Sequence, residues 1–143
     1  MNPEALITIR PAAEPDLDDI WSIQSHAGQA AQWNPADYLS LLCVVAVVGG
    51  STAGFAVARR TAPDELEILN VAVDPLFRRR GVARKLIQEV LTRHRGAVFL
   101  EVRQSNLAAR KLYHSLGFET FAIRKDYYSD SGEPAIVMKF HSC

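Results

Sequence analysis

The sequence predicts a single α/β domain over residues 1–143, with a sheet that is antiparallel in part. Three observations carry this. Short apolar runs bounded by Gly, Pro or Asp alternate with segments of helical period. The β-branched runs on either side of Gly49-Gly50-Ser51-Thr52 have the form of a hairpin. A chain of 143 residues, 48% apolar and 22% charged, can bury one core but is too short for two ordinary domains.

Ala5 to Arg10 alternates apolar and polar residues before Pro11, which ends an opening strand. Leu17, Ile20, Trp21 and Ile23 form the core-facing side of a helix from Glu14 to Ala27. Glu14, Asp16, Asp18 and Asp19 sit at the end where its dipole favours negative charge. Gly28 to Trp33 reads as a loop. Asn34 and Pro35 then read as a cap and first residue of a short helix through Leu42, with Tyr38, Leu41 and Leu42 as its apolar contacts. Cys43 to Val48 and Ala53 to Arg59 pair across the glycine turn, and a second turn follows at Ala62 to Asp64.

Glu65 to Asp74 is the central strand, because Leu66, Ile68, Leu69, Val71, Ala72 and Val73 leave little room for a solvated face; Pro75 closes it. From Gly81 to His94 the period changes to helical, with Val82, Ala83, Leu86, Ile87, Val90 and Leu91 on one stripe and Arg84, Lys85, Glu89 and Arg93 on the other. Ala97 to Arg103 is a second buried strand. Asn106 to Leu116 is a helix stopped by Gly117, and Phe118 to Tyr128 is extended again. After a turn at Ser129 to Glu133, Ala135 to Phe140 returns as an edge strand.

Sixteen Lys and Arg balance sixteen Asp and Glu, so the chain lacks the overall field of a nonspecific nucleic-acid binder or a polybasic membrane protein. Neither direct nucleic-acid binding nor membrane association is expected, and local clusters must carry any anion recognition. Cys43 and Cys143, the only cysteines, suggest neither a disulfide framework nor a thiolate metal cluster, and the cytoplasm is the expected compartment. His26, His94, His114 and His141 have no compact metal-ligand spacing, so no metal site is expected. The opening MNPEALITIRP lacks a secretory pattern, and Leu39 to Val48 is too short to span a bilayer. Oligomeric state has no signature here.

The sharpest local signal is Val71-Ala72-Val73-Asp74-Pro75-Leu76-Phe77-Arg78-Arg79-Arg80-Gly81-Val82-Ala83, a buried strand joined to a strong helix by a basic turn. Free backbone N–H groups at the helix start, with Arg78, Arg79, Arg80, Arg84 and Lys85 around them, suit a pyrophosphate. The small Gly81 and Ala83 permit close approach. An exposed turn that merely aids solubility is the competing reading. GxGxxG and GxxxxGK[ST] are both absent, which weakens a dinucleotide or ATP as ligand.

This arrangement resembles the GCN5-related N-acetyltransferase superfamily, whose acetyl-CoA motif is Arg or Gln, two variable residues, Gly, one variable residue, then Gly or Ala; Arg78, Gly81 and Ala83 match it. Phe99-Leu100-Glu101-Val102-Arg103-Gln104-Ser105-Asn106, Ala108 to Phe118, Ile68 to Val73 and Arg124-Lys125-Asp126-Tyr127-Tyr128 narrow the likeness to the bacterial ribosomal-protein N-terminal alanine acetyltransferase family. The resemblance implies the acyl-CoA N-acyltransferase fold, a mixed, mostly antiparallel central sheet flanked by helices, with a cofactor cleft between parting central strands. It also implies acetyl transfer from acetyl-CoA to a protein α-amine, most specifically the N-terminal alanine of a small-subunit ribosomal protein, with no metal.

By resemblance, Glu101 is the base and Tyr113 the acid. Glu101 as a strand-end residue paired with Arg103 or Arg110, and Tyr113 as helix packing, are the structural alternatives. Asn106 lies beside CoA in the family and is also placed to cap a helix. Val71, Ala72 and Val73 contribute to cofactor binding, Val71 and Val73 through the backbone with their side chains in the core; Arg78, Arg79, Arg80, Gly81, Val82, Ala83 and Arg84 form the anion-binding turn. Trp33, Glu67, Asn70, Tyr127 and Tyr128 are candidate acceptor contacts. Regular pleating sends Glu67 and Asn70 to opposite faces, and likewise separates Tyr127 from Tyr128.

The family commonly has Pro-Trp in the early loop, whereas this chain has Gln32-Trp33 followed by Asn34-Pro35. Direct attack by the acceptor amine is preferred to an acetyl-cysteine intermediate, because apolar surroundings make Cys43 structural. Small-amine acetylation is a second enzyme reading. A noncatalytic acyl-CoA-binding or partner-binding domain is the reading from another class.

Overall fold

The computed structural model describes residues 6–27, 33–128 and 131–142. The expected loop over residues 28–32, the turn residues Ser129 and Asp130, the opening residues 1–5 and the terminal Cys143 lie outside the described residues. The strands are β1 (Ile7–Pro11), β2 (Leu42–Val48), β3 (Ser51–Ala62), β4 (Glu65–Val73), β5 (Gly96–Arg103), β6 (Glu119–Tyr128) and β7 (Glu133–Ser142); the helices are α1 (Leu17–His26), α2 (Val82–Thr92) and α3 (Leu107–Ser115). The seven strands form one sheet in the order β1-β2-β3-β4-β5-β7-β6. The β1–β2, β2–β3, β5–β7 and β6–β7 pairs are antiparallel, and β4–β5 is parallel over Glu65–Ile68 and Ala97–Leu100. This is the mixed, mostly antiparallel sheet flanked by helices expected from the sequence. The chain divides into two compact units, one formed by Met1–Arg59 with Leu69–Arg93 and the other by Arg60–Ile68 with His94–Cys143.

In the first unit, the β-branched run of β2 pairs with both β1 and β3, and its residues Cys43 to Ala46 are buried. Ile20, Ile23, Tyr38, Cys43, Val45, Phe55, Val57 and Ala72 pack into one core, with the Tyr38 and Phe55 rings 5.8 Å apart. Val82, Leu86, Ile87 and Val90 of α2 are also buried, each side chain contributing roughly 1.5–3 kcal/mol of apolar transfer energy before entropy is subtracted. Gly54 makes this packing close: a Cβ there would lie 2.7 Å from the Ala72 carbonyl oxygen and 3.2 Å from Val82 Cγ1. Any larger residue must push the strands or α2 apart.

Several boundaries differ from expectation. A 3-10 turn at Glu14–Asp16 precedes α1, and Trp21, expected on the core side, is 61% exposed. Gln24 takes the buried place instead, four residues on from Ile20 and so on the same helix face. Asn34 does cap the next segment by accepting the Ala36 amide at 3.1 Å, but that segment is the 3-10 helix Pro35–Ser40, and Leu42 opens β2 rather than ending a helix.

In β4, buried Leu66, Ile68, Asn70 and Ala72 alternate with half-buried Glu65, Glu67, Leu69, Val71 and Val73. The strand therefore has a partly solvated face, and the Val71 and Val73 side chains are half-buried rather than core. The alternation supports the opposite facing expected for Glu67 and Asn70.

The second unit corrects the expected strand order. β7 is interior, paired with β5 from Gly96↔Ser142 to Arg103↔Ala135 and with β6 from Glu119↔Lys139 to Tyr128↔Glu133. Its buried Ala135, Ile136 and Met138 suit a central strand, while β6 at the edge exposes Phe121 and Ile123. α3 begins where Asn106 accepts the Ala109 amide at 3.2 Å.

Candidate active site

In the first unit, the Asp74 amide is tied to the Ala53 carbonyl at 2.8 Å, and the Asp74 side chain accepts the Leu76 amide at 2.9 Å. Pro75–Phe77 forms one 3-10 turn, and the Arg80 guanidinium lies over the Phe77 ring at 5.3 Å. Arg79 and Gly81 then adopt positive φ, 64° and 79°. No Cβ contact within 4 Å crowds Gly81, so handedness rather than space favours glycine there.

Gly81 is the N-cap of α2 and supplies no side-chain bond, the first turn holds no acidic residue, and Lys85 makes the bond back to the Gly81 carbonyl. The amides of Val82, Ala83 and Arg84 thus fall where an α-helix has no internal acceptors. Arg78, Arg79 and Arg80 are exposed beside them. This chemistry fits a diphosphate, as the sequence motif predicts. Val71, Ala72 and Val73 end the strand leading into the turn.

Asn70 and Trp33, expected at an acceptor entrance, belong to one polar network in the same unit. Tyr38 donates to Gln24 Oε1 at 2.5 Å, Asn70 Nδ2 donates to that oxygen at 3.1 Å, and Gln24 Nε2 donates to the Trp33 carbonyl at 2.5 Å. Asn70 is 6% exposed and its polar group is engaged in the core, whereas the Trp33 side chain is exposed. Burial pushes the Cys43 thiol up to about 12, leaving it a neutral, poorly nucleophilic group.

In the second unit, Glu101 lies on β5 opposite Val137. Arg124 of β6 meets its carboxylate at 2.6 Å, a partner other than the Arg103 or Arg110 of the structural alternative. Arg103 lies 3.6 Å from Glu133 and 4.0 Å above the Tyr128 ring, and Arg110 donates to the Gln104 carbonyl. The Tyr127 pKa is raised, first by the neighbouring Glu101 carboxylate and then by burial. Glu67 is close enough to act electrostatically on both Arg124 and Tyr127.

The Tyr127 and Tyr128 rings meet edge to face at 5.1 Å instead of pointing apart, because the β6–β7 register is irregular between Arg124 and Tyr128. Tyr113 on α3 is pushed up to about 12, first by burial and then by Tyr128, so its hydroxyl remains protonated through neutral pH. This unit brings Glu101, Glu67, Tyr113, Tyr127 and Tyr128 into one electrostatic neighbourhood. Arg124 had no assigned role from sequence, because only the folded β5–β7–β6 register brings it to Glu101. Among the described residues, no group of three or more His, Cys, Asp or Glu is arranged to hold a metal.

The mixed, mostly antiparallel sheet flanked by helices is typical of the acyl-CoA N-acyltransferase fold class. Residues 8–118 match the Acetyltransferase (GNAT) family, and the chain belongs to that family. It is similar to N-alpha-acetyltransferase RimI of Mycobacterium tuberculosis, 43% identical over 95 residues that cover 64% of this chain and 60% of that protein. It is 35% identical over 142 residues to the [Ribosomal protein bS18]-alanine N-acetyltransferase of Salmonella typhimurium, covering 92% of this chain and 95% of that protein. The crystal structure of the ribosomal-protein-S18-alanine N-acetyltransferase from Escherichia coli superposes with a TM-score of 0.85 at 33% identity, over 96% of each chain.

Proposed function

We propose that this protein transfers acetyl from acetyl-CoA to a protein N-terminal α-amine in the cytoplasm, with the alanine of a small-subunit ribosomal protein as acceptor. The observation that carries the reading is the carboxylate–tyrosine cluster: Glu101 among Arg124, Tyr127 and Glu67, with the protonated Tyr113 hydroxyl nearby in the same unit. Similarity over nearly the full length to the Salmonella alanine N-acetyltransferase supports the choice of acceptor.

Acetyl-CoA supplies an activated thioester. Backbone amides at the start of α2, with Arg78, Arg79, Arg80 and Arg84, hold its diphosphate, while Val71, Ala72 and Val73 offer backbone groups and Asn106 a further contact. Glu101 takes a proton from the acceptor ammonium directly or through water. The freed nitrogen lone pair forms the new C–N bond, and the C–S bond breaks as Tyr113 supplies the proton that leaves CoA as a thiol. The second nitrogen proton is passed through water to the Tyr113 phenolate, which leaves a neutral amide and restores the hydroxyl. In the second unit Glu67, Tyr127 and Tyr128 line the path of the acceptor, Trp33 of the first unit is a separate candidate contact, and no metal takes part.

Purified protein, acetyl-CoA and a library of free N-terminal peptides test this, with mass spectrometry to map the acetyl group. Modification of the first amine of Ala-initiated peptides is expected. Acetylation of lysine side chains or small amines alone would replace this reading with the small-amine one. Cofactor binding without any acetylation would favour a noncatalytic domain.

A further inference from the structure

The Glu101 carboxylate is already met by a cation. Arg124 Nη1 contacts Oε1 at 2.6 Å, reaching from β6 across β7, where Val137 is the register partner of both Glu101 and Ala122. The ends of the pair differ in exposure: the Arg124 side chain is 54% exposed and that of Glu101 19%, so the guanidinium is the outer member. The same guanidinium lies over the Tyr127 ring at 4.3 Å, and the Glu101 carboxylate raises the Tyr127 pKa. A flexible cation with N–H donors therefore sits against the group proposed to receive the acceptor amine. An α-amine with a pKa of about 7.7–8.0 is mostly ammonium at neutral pH, and brings the same charge and the same kind of donor.

We propose that Arg124 is a positioning residue that holds the amine place on Glu101 in the acceptor-free protein and yields it to the N-terminal ammonium of the acceptor. The inference rests on the reading of Glu101 as the base. One cation replaces another, so the carboxylate keeps a counter-charge throughout the exchange. A neutral N-terminus, such as one already acetylated, has no charge to replace that of Arg124, and the exchange thereby selects free amines. The Tyr127 ring gives the displaced guanidinium a second resting contact. Because the outer end of the pair is exposed, the exchange is cheap, worth no more than about five-fold in acceptor affinity.

Steady-state kinetics of the full chain with a free-amine alanine peptide at saturating acetyl-CoA provide the first test. Arg124→Met, which keeps side-chain length without charge, should lower the peptide KM by about two- to five-fold, with the gain in KM rather than in kcat. Arg124→Lys, which keeps the cation, should return KM toward the wild-type value. The second arm needs no turnover: methylguanidinium, titrated by NMR, should bind Arg124→Met more tightly than wild type and lose that advantage in Arg124→Met/Glu101→Gln.

A ten-fold or larger fall in kcat of Arg124→Met at unchanged KM would overturn the exchange and make Arg124 a clamp on Glu101. Equal methylguanidinium affinity in wild type and Arg124→Met would overturn it as well. A wild type that acetylates no peptide but retains the methylguanidinium difference removes the acetyl-transfer reading while supporting the exchange, so the two failures are distinguishable.

Discussion

Tyr113 and Phe118 pack ring against ring at the end of α3, with centroids 5.9 Å apart and planes at 59°. Phe118 is fully buried and stacks in turn on Phe140 at 5.5 Å, so the Tyr113 ring is anchored through residues that have no chemistry of their own. Tyr113→Phe keeps these ring contacts and removes only a desolvated hydroxyl. The urea midpoint should move little while turnover falls by about ten-fold or more, within the general-acid range. Equal losses of stability and activity would reassign Tyr113 to packing.

The pH profile follows from the same residue. A hydroxyl pushed up to about 12 is a weaker acid than a thiol near 8.5, so full proton transfer to sulfur ahead of bond cleavage is uphill by roughly 5 kcal/mol. Proton delivery must therefore accompany C–S cleavage. The kcat at saturating peptide should rise with pH as the bound acceptor ammonium loses its proton, and no alkaline fall in kcat due to Tyr113 should appear below about pH 11. A descending limb between pH 8 and 10 that Tyr113→Phe abolishes would contradict this. Rate measurements from pH 6 to 10.5 with a fixed peptide decide it.

Glu101→Gln keeps the shape of the residue but loses both the base and the charge that holds Arg124. Turnover should fall by about 10²–10⁴-fold at matched acetyl-CoA occupancy, with the far-UV spectrum and urea midpoint close to wild type. Undiminished turnover in a folded variant would remove Glu101 as the base.

Much of this site is legible in the sequence, and what is not has an identifiable cause. The helical period of Val82, Leu86, Ile87 and Val90 and the cap at Asn106 depend on neighbours within one turn, and both appear where the spacing places them. The interior position of β7, the Glu101–Arg124 pair and the contact between Tyr127 and Tyr128 depend on long-range register and an irregular strand. No local pattern encodes these. Gln24 was missed because a polar residue on a core stripe looks like an interruption until its partners Tyr38, Asn70 and Trp33 are assembled around it.

Acid sensitivity has a specific source in the first unit. Asp16 is buried, accepts Arg10 through both carboxylate oxygens at 2.8 Å, and accepts the Ala13 amide at the same distance. The Arg10 hydrogen bond, ahead of the Ala13 amide, holds the Asp16 carboxyl below its ordinary value against the opposing effect of burial. Because the folded pKa is depressed, its stabilisation is complete above about pH 4 to 5 and is lost as pH falls through the folded value. Asp16→Asn should lower stability at pH 7 by about 1–2 kcal/mol, a figure reduced for the half-exposed Arg10, and by much less near pH 2. Urea midpoints at the two pH values test this; an equal loss at both would mean that packing rather than charge sets the cost.

Gly81 separates the backbone requirement of the anion turn from its charge. At φ 79° an alanine is strained although its Cβ would meet nothing within 4 Å, so Gly81→Ala should cost about 1 kcal/mol of stability through backbone conformation alone. Relaxing that strain re-aims the amides of Val82 and Ala83, and the KM for acetyl-CoA should rise severalfold while the peptide KM stays nearly constant. Arg78→Ala leaves the backbone in place and should also raise the acetyl-CoA KM, with a steeper effect at low salt because a charge has been removed. If Gly81→Ala loses stability but binds acetyl-CoA as tightly as wild type in a calorimetric titration, the amides at the start of α2 do not hold the diphosphate. Any anion affinity of this turn must then come from its arginine side chains.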